Sequence, residues 1–572
     1  MKDYISELLE FIYGKTTAQA LLPQVMELVG KAASGGLGVK NGEPVISNKD
    51  ALLICYGDML AGTGGTALGR LGHFLSKWNR GGFSFLHLLP FHPYSSDDGF
   101  SVIDYGEIDP RLGGWDDIVE LGWHFKMTFD FVVNHGSVRS EWFKRFLADE
   151  EHYRRWYVTK PQGYDETKVF RPRTHPLFTV FDRKDGSQAR VWTTFSADQA
   201  DYDFSQPEVL LEFIRIFLDY ICRGARMLRL DAIAFLWKED GTPCLHHPKT
   251  HAFVKLLRAI IDFLVLPVLL LTETNVPHRD NLSYFGGDFA VDAESQAPGE
   301  EAHIVYNFAL PPLVLHAAIS GDAGPLRKWA SDLPVLPAGK YFLNFLASHD
   351  GVGLGPVKGL VDDSAFNQTL EEAKKRGALV SMKSTPAGQV PYELNCSWAD
   401  MTAPADLGST EVQAASFLTT YAAAMSLSGL PAVYFHSWAG SRAWKEGPTL
   451  LGYNRAINRE KPDIDELEKD LAQSGSFRSL VMDGFHRLLE FRAAEDSFSP
   501  EVPCQILQTG DRGIFAVYRK GINAGVICVQ NFSDKEVKFE TGIPPLGEIS
   551  VTARGFCWIA FDSDGIRRKL AF

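Results

Sequence analysis

Along most of the chain, short apolar runs alternate with helix-like patterns, and most of the runs end in polar or charged residues. Apolar runs of about four to eight residues are typical of strands that are buried on both faces. Their alternation with helices is typical of the α/β class, and eight of them predict a (β/α)8 TIM barrel. The runs lie at 51–58, 83–91, 127–135, 227–232, 268–275, 303–308, 342–350 and 432–437.

The uneven spacing of these runs predicts insertions in the barrel. Residues 136–226 separate the third run from the fourth, which is too long a stretch for one crossover helix. We therefore expect residues 137–205 to form an inserted subdomain over the barrel mouth. A second insert at about 355–410, rich in Gly, Pro, Ser and Asn, is expected to form a lid.

The two ends of the chain show other patterns. Residues 1–45 predict a helical segment that precedes the barrel and ends at a Ser-Gly-Gly turn. Beyond residue 495 the apolar pieces become strand-like, so residues 496–572 predict a small all-β C-terminal domain. The barrel itself is then expected to comprise residues 46–136 and 206–495.

Composition and charge exclude several classes of partner. The chain of 572 residues has the composition of a globular protein, and its net charge of −14 argues against nucleic acid or an anionic membrane as the main partner. The seven cysteines are scattered, which favours a reducing compartment and offers no zinc-ligand spacing. The N-terminus lacks the apolar core of a signal peptide, and the most apolar run, 260–271, is too short to span a bilayer. We therefore expect a soluble cytoplasmic protein.

The fourth run is the first place where the pattern indicates chemistry, because it ends in Arg229, Leu230 and Asp231. Residues i and i+2 of a strand face the same side, so Arg229 and Asp231 can both point inward near the carboxyl-terminal mouth of a barrel. A carboxylate beside a guanidinium is favoured in its ionised form, as a nucleophile requires. A buried structural ion pair is the alternative interpretation, and this motif alone leaves both open.

Other predicted strands also end in acids or imidazoles. A single acid at a strand end is often a cap or a turn residue, but three acids and two histidines at one barrel mouth favour a site. Such a set suits glycosidic-bond chemistry, in which one ionised carboxylate attacks the anomeric carbon and one carboxylic acid protonates the leaving oxygen. The apolar approach to Glu273 favours the second role for it. The residues at these ends are Asp97, Asn134, His135, Asp231, Glu273, His349 and Asp350.

Taken together, these motifs resemble the α-amylase family of retaining glycoside hydrolases, and more closely its sucrose phosphorylase branch. The resemblance covers nearly all of residues 50–460, including 88–118, 235–251, 305–316 and 428–437. The four short conserved regions of the family match FDFVVNH (129–135), MLRLDAIAF (227–235), LLTETN (270–275) and LASHDG (346–351).

The resemblance implies a double-displacement reaction catalysed by a glycosyltransferase. Asp231 resembles the family nucleophile, which forms a covalent glucosyl-enzyme. Glu273 resembles the general acid/base and Asp350 the transition-state stabiliser. In this branch inorganic phosphate then attacks the glucosyl-enzyme, which gives α-glucose 1-phosphate with retention of configuration.

The resemblance also implies the residues that bind substrate. Because the chain has no P-loop-like motif, Arg171 and Arg173 of the first insert are candidates for phosphate binding, with solvated loop charges as an equal alternative. Asn134 matches an asparagine that helps to bind calcium in many α-amylases, but we find no carboxylate cluster with calcium spacing and predict no metal and no cofactor. The implied substrate-binding residues are Asp97, Phe100, His135, Arg229, His349 and Arg459.

The leaving group stays open, because the branch includes phosphorylases of sucrose, sucrose 6'-phosphate, glucosylglycerate and glucosylglycerol. The chain length and the HHPKTH and RPRTHPL segments favour the last three over the shorter sucrose phosphorylases. The acidic segment 286–303 has no counterpart that we can place. Two alternatives remain: a hydrolase or transglucosidase with the same three acids, and a non-catalytic barrel scaffold, which would have lost some of them.

Overall fold

Eight parallel strands close into a barrel in the computed structural model, which describes residues 1–35, 46–287, 300–385, 388–522 and 524–572. Each strand overlaps one of the eight predicted runs, so the predicted fold class is confirmed. Neighbouring strands follow the order of the chain, and the last pairs with the first. The barrel strands are Leu52–Cys55, Phe85–Leu88, Lys126–Val132, Ala225–Asp231, Leu269–Thr272, Ile304–Tyr306, Tyr341–Asn344 and Leu430–Tyr434.

The register of the strands brings their polar ends to one level. The third and fourth strands pair so that Asp130 lies beside Arg229. The fourth and fifth pair Leu230 with Thr272, the residue before Glu273. Because all eight strands are parallel, their carboxyl ends share one mouth, where side chains from different strands meet.

Helices cover the outside of the barrel. Pro207–Cys222 begins with a proline, whose missing N–H is tolerated in the first turn of a helix, and its apolar residues are buried. Thr410–Ser426 begins after Ser409, whose side chain accepts a hydrogen bond from a backbone N–H of the first turn. The other helices of this layer and its loops are Ala67–Trp78, Trp115–Gly122, Pro248–Leu264, His278–Leu282, Leu310–Ser320, Gly324–Ser331, Phe435–Trp438, Gly447–Leu451, Ile464–Ala472 and Phe477–Ala494.

Two helices, Lys2–Tyr13 and Lys15–Ser34, precede the barrel. The glycine between them has a φ of 80°, a left-handed conformation that glycine adopts without strain. The first helix packs against Pro248–Leu264 and the second against Pro207–Cys222. The rest of the predicted N-terminal segment, residues 36–45, lies outside the described residues.

The first predicted insert is built mainly from β-structure. A short antiparallel pair, His135–Ser137 with Gln199–Asp201, forms its base. A hairpin of Phe178–Asp182 and Gln188–Trp192 extends from it, and the helix Glu141–Leu147 packs beside it.

The second predicted insert contains a helix, Asp363–Lys375, and an antiparallel hairpin, which we call the lid hairpin. The lid hairpin consists of Leu379–Thr385 and Gly388–Asn395, and its second strand also pairs with Val352–Gly353. That short strand follows the seventh barrel strand, so the hairpin is tied to one side of the barrel mouth. A short helix, Trp398–Thr402, leads back to the barrel.

The C-terminal residues form antiparallel sheets, as predicted. A five-stranded sheet consists of Cys504–Ile506, Ile514–Lys520, Gly525–Asn531, Phe556–Asp562 and Gly565–Ala571, and a two-stranded sheet consists of Val537–Glu540 and Glu548–Val551. The domain boundaries given above stay predictions. Most of the acidic segment 286–303 falls on 288–299, outside the described residues, and none of the helices that are described is long and apolar enough to cross a membrane.

Candidate active site

One pocket opens at the carboxyl ends of the barrel strands, and it collects most of the predicted site residues. The first insert adds Arg173, Phe195 and Gln199 to its wall, and the lid hairpin adds Tyr392 and Glu393. Arg459 lies directly behind the wall and touches residues that line it. The predicted residues that line the pocket are Asp97, Phe100, His135, Arg229, Asp231, Glu273, His349 and Asp350.

The guanidinium of Arg229 contacts two acids at the bottom of the pocket. Its Nη1 donates to Asp231 Oδ1 at 2.7 Å and also to Asp130 on the neighbouring strand. Its Nε donates to the Tyr306 hydroxyl at 3.2 Å. Asp130 in turn lies 2.8 Å from Nε2 of His87. Asp130 thus forms the buried structural ion pair with Arg229, while Asp231 faces the pocket.

Glu273 stands beside this pair with weaker contacts. Its Oε2 accepts a hydrogen bond of 3.1 Å from the backbone N–H of Ala232 and lies 4.0 Å from Arg229 Nη2. Ala232 has a φ of 49°, and a non-glycine residue in the left-handed region is a strained conformation of the kind found at functional sites. The conformation directs the amide that follows Asp231 toward Glu273.

Burial raises the pKa of both carboxyl groups. The pKa of Asp231 rises to about 8, because burial and the nearby charges of Glu273 and Asp130 outweigh the opposing effect of Arg229. Burial also raises the pKa of Glu273, against Arg229 and with the help of Asp350. Arg229 lowers the pKa of Asp231, as expected, but the expectation that a neighbouring guanidinium suffices to keep Asp231 ionised is not met, because burial and the nearby acids outweigh it. The two acids together retain a proton near neutral pH, as close carboxyl pairs do.

The third acid, Asp350, is surrounded by two arginines and a histidine. Arg455 Nη1 lies 2.5 Å from its Oδ1, Arg459 Nη2 lies 3.5 Å away, and His349 Nε2 lies 3.6 Å away. Burial would raise the pKa of Asp350, but Arg455, His349 and Arg459 outweigh it and hold the pKa well below its usual range. Asp350 is therefore ionised across the physiological range. Sequence reasoning missed Arg455, although it lies in the same YNRAINRE segment as Arg459.

Two imidazoles and one aromatic ring form another wall. The rings of Phe100 and His349 stack with their centres 5.0 Å apart. His135 Nε2 lies 3.1 Å from the backbone oxygen of Phe100 and 3.1 Å from the amide nitrogen of Gln199. Burial lowers the pKa of His135, and it lowers that of His349 to about 3. Both histidines are thus neutral at pH 7 and can donate or accept hydrogen bonds.

Arg459 is held by Asp98, which is adjacent to the predicted Asp97. Its Nη1 donates to Asp98 Oδ2 at 2.6 Å and lies 3.8 Å from Asp97, and its Nε donates to the backbone oxygen of His349 at 2.8 Å. Both aspartates have left-handed φ values, 51° and 47°. This turn directs Asp97 into the pocket and Asp98 behind it, where Tyr453 also donates to Asp98 at 2.5 Å.

The amide of Asn134 faces an ammonium group. Lys238 Nζ lies 2.7 Å from Asn134 Oδ1 and 2.7 Å from Asp201 Oδ2. A calcium ion at these oxygens would have to displace the lysine, so these residues do not fit such an ion. Across the part of the chain that is described, no cluster of three or more His, Cys, Asp or Glu side chains is arranged to hold a metal. The absence of a metal stays a prediction.

The two arginines proposed for phosphate binding lie in different places. Arg173 lines the pocket mouth, where its guanidinium lies 5.7 Å from the ring centre of Phe195 and 5.6 Å from that of Tyr392. No carboxylate among the described residues forms an ion pair with it. Arg171 donates to the backbone oxygen of His175 and does not line the pocket. Only Arg173 is therefore placed to meet an anion.

Known proteins resemble this chain over most of its length. Residues 80–318 match the catalytic domain of α-amylase. Glucosylglycerate phosphorylase of Spirochaeta thermophila is 42% identical over 95% of this chain and 91% of its own. Sucrose phosphorylase of Agrobacterium vitis is 29% identical over 78% and 88%.

A solved structure shows the same fold. The sucrose 6F-phosphate phosphorylase from Thermoanaerobacter thermosaccharolyticum superposes with a TM-score of 0.74 and 22% identity, over 92% of this chain and 98% of that one. This similarity of fold agrees with the barrel described above, and the sequence relatives are named as glycoside phosphorylases. The chain therefore belongs to the α-amylase family, within its sucrose phosphorylase branch.

Proposed function

We propose that the enzyme is a retaining glucosylglycerate phosphorylase, which transfers a glucosyl group from glucosylglycerate to inorganic phosphate and forms α-glucose 1-phosphate. The Spirochaeta thermophila relative that carries that activity in its name is 42% identical to this chain over the aligned residues, against 29% for the sucrose phosphorylase of Agrobacterium vitis. The observation that carries the proposal is Arg173, a cation at the pocket mouth that acts on the pKa of Glu393 but forms no ion pair with any carboxylate of the described residues.

In the first step, Asp231 attacks the anomeric carbon and the bond from that carbon to the glycerate oxygen breaks. Glu273 gives its proton to that oxygen. Asp231 and Glu273 share one proton, and we assign it to Glu273 in the reacting state, because Asp231 has the close contact with Arg229 at 2.7 Å and Glu273 stands 4.0 Å away. Asp350, ionised beside Arg455, stabilises the positive charge that develops on the sugar ring.

In the second step, a phosphate oxygen attacks the same carbon and the bond to Asp231 breaks. Glu273 takes back a proton from the phosphate, which restores the starting state. Two inversions at one carbon give net retention. The sugar is held by the Phe100 ring and by the polar groups that line the pocket, which are Asp97, His135, Arg229 and His349, with Arg459 directly behind them.

Glycerate and phosphate must occupy the same side of the anomeric carbon, since one leaves from the place where the other attacks. Both are anions, so one cation can serve them in turn. Arg173 has the planar guanidinium that suits carboxylate and phosphate oxygens. A neutral leaving group such as fructose or glycerol would not be stabilised by the charge of Arg173.

The reaction is tested by measuring glucose 1-phosphate from sucrose, sucrose 6'-phosphate, glucosylglycerate and glucosylglycerol in phosphate buffer, with Asp231→Asn as the blank. We expect product from glucosylglycerate. Free glucose that forms without regard to phosphate would identify a hydrolase instead. Product from sucrose 6'-phosphate alone would assign the acceptor site to a sugar phosphate.

The role of Arg173 is tested with Arg173→Gln and, as a matched control, Arg171→Gln. We expect the first variant to raise the KM for phosphate and for glycerate by about 10- to 50-fold, the effect of losing a charged hydrogen bond. The control should stay within about 2-fold, because Arg171 does not line the pocket. Equal effects of the two changes would contradict the role of Arg173.

A further inference from the structure

We propose that Glu393, which the lid hairpin carries, is a positioning residue that holds Arg455 and the backbone beside Asp350 in place for the reaction. Glu393 lines the pocket, and its side chain is 4% exposed. This inference rests on the proposed role of Asp350, whereas no part of it depends on which leaving group is used.

Glu393 and Arg455 form a two-bond ion pair. Arg455 Nε donates to Glu393 Oε1 at 2.9 Å, and Nη2 donates to Oε2 at 2.8 Å. A planar guanidinium that is held at two nitrogens has its third nitrogen fixed in direction. That third nitrogen, Nη1, is the one that lies 2.5 Å from Asp350.

Glu393 also holds the chain next to Asp350. Its Oε1 accepts a hydrogen bond of 3.0 Å from the backbone N–H of Gly351. A Cβ atom at Gly351 would stand 2.6 Å from the Cγ of Glu393, so only glycine allows this approach. Gly353 and Glu393 are also partners in the sheet, and this pairing holds the backbones of the two segments close together. The Glu393 carboxylate therefore orients Asp350 in two ways. It holds Arg455, which contacts the Asp350 side chain, and it holds the peptide N–H that follows Asp350.

The charge of the pair agrees with this role. Burial would raise the pKa of Glu393, but the Arg455 guanidinium outweighs it and holds the pKa below its usual range. Glu393 is thus ionised together with Asp350, and Arg455 bridges the two acids. Since the lid hairpin reaches Asp350 through this bridge and through Gly351, the placement of the lid and the orientation of Asp350 are coupled.

The test uses Glu393→Ala and Glu393→Gln, with Glu371→Gln as control, because Glu371 lies on the helix of the same insert and its side chain is 66% exposed. We expect both Glu393 variants to lose about 10- to 100-fold in kcat, while KM for the glucosyl donor stays within about 2-fold, since the contact acts on a transition-state group. The control should match the wild type.

Formate separates positioning from a merely structural role, because it can occupy the vacated carboxylate site. We expect added formate to restore at least about 5-fold of the lost kcat in Glu393→Ala but none in Arg455→Ala, which lacks the guanidinium. A kcat of Glu393→Ala within about 2-fold of the wild type would overturn the proposal. So would a loss in a folded variant, with a native circular dichroism spectrum, that formate does not restore.

The assay uses α-glucosyl fluoride, whose loss does not require phosphate, glycerate or an acid catalyst. An enzyme that consumes the fluoride but forms no glucose 1-phosphate would refute the proposed function and leave the role of Glu393 testable. Consumption of the fluoride by wild type and Glu393→Ala at equal rates would refute the role of Glu393 alone.

Discussion

Asp231 and Asp350 are both buried acids at the ends of barrel strands, and both lie beside arginines, yet their pKa values move in opposite directions. The pKa of Asp231 rises to about 8, and that of Asp350 falls well below its usual range. The difference lies in the neighbours. Asp231 shares Arg229 with Asp130 and faces Glu273, whereas Asp350 faces two arginines.

This contrast shows how one pocket separates two charge states. An ion pair does not by itself keep an acid ionised, because burial penalises the charge and nearby acids add to that penalty. The half of the pocket around Asp231 has one guanidinium and three acids, and it retains a proton that the reaction needs. The half around Asp350 has enough cations to keep a permanent negative charge, which an oxocarbenium-like transition state requires.

The largest effect is expected from changes in the half that retains the proton. Asp231→Asn should lower kcat on every donor by about ten thousand-fold, because no other group can form the covalent intermediate.

Glu273→Gln should be similarly poor on a glycoside but should keep much of its activity toward α-glucosyl fluoride, whose leaving group needs no proton. Steady-state rates with both donors measure the difference.

The same pair predicts a pH effect. Glu273 must carry a proton to act on a glycoside, and burial raises its pKa. The rate on a glycoside should therefore fall as the pH rises through that pKa, whereas fluoride consumption, which needs no acid, should not show this basic limb. An equal basic limb with both donors, or rescue of Asp231→Asn by the fluoride, would contradict the assignment of the two acids.

A smaller effect is expected in the other half. Arg455→Met removes the strongest of the cations that lower the pKa of Asp350, so that pKa should rise. Asp350 must be ionised to act, and the loss of kcat should therefore grow as the pH falls: about 10-fold at pH 8 and about 100-fold at pH 5. The pH–rate profile on α-glucosyl fluoride measures this.

Lys375→Met is the control for this change, because Lys375 is an exposed cation on the helix of the lid insert. It should leave the profile unchanged. A loss of rate in Arg455→Met that is the same at every pH would show that the arginine does not set the charge of Asp350.

The sequence predicted the fold and the strand-end acids because both depend on local patterns. Apolar runs mark the strands, and the motif around each of Asp231, Glu273 and Asp350 lies within a few residues of a strand end. The direction of the Asp231 pKa could not be predicted in this way, because it depends on Asp130 and Glu273, which only the strand register brings close.

The same reason explains why Arg455 and Glu393 were missed. They are 62 residues apart in the chain, in segments outside the barrel strands, and the pairing of the lid hairpin with Val352–Gly353 is what brings Glu393, and with it the bound Arg455, to Asp350. At 97–98 two adjacent aspartates have different tasks, and only their left-handed backbone shows which one faces the pocket and which one holds Arg459.

The smallest effect is expected from Asp98→Asn. This change tests whether the position of Arg459, the second cation near Asp350, depends on its ion pair with Asp98. The change removes a charge that Arg459 contacts at 2.6 Å but keeps the shape of the side chain. Arg459 should then shift toward Asp97 and Asp350, which already lie 3.8 Å and 3.5 Å away. If Asp97 binds the sugar in both ground state and transition state, as proposed, KM for the donor should rise about 3- to 10-fold with little change in kcat. Tyr453→Phe is the control, because it removes only the other hydrogen bond to Asp98, and its KM for the donor should stay within about 3-fold of the wild type. A large loss of kcat in Asp98→Asn would instead mean that Arg459 acts on the charge of Asp350 as strongly as Arg455 does.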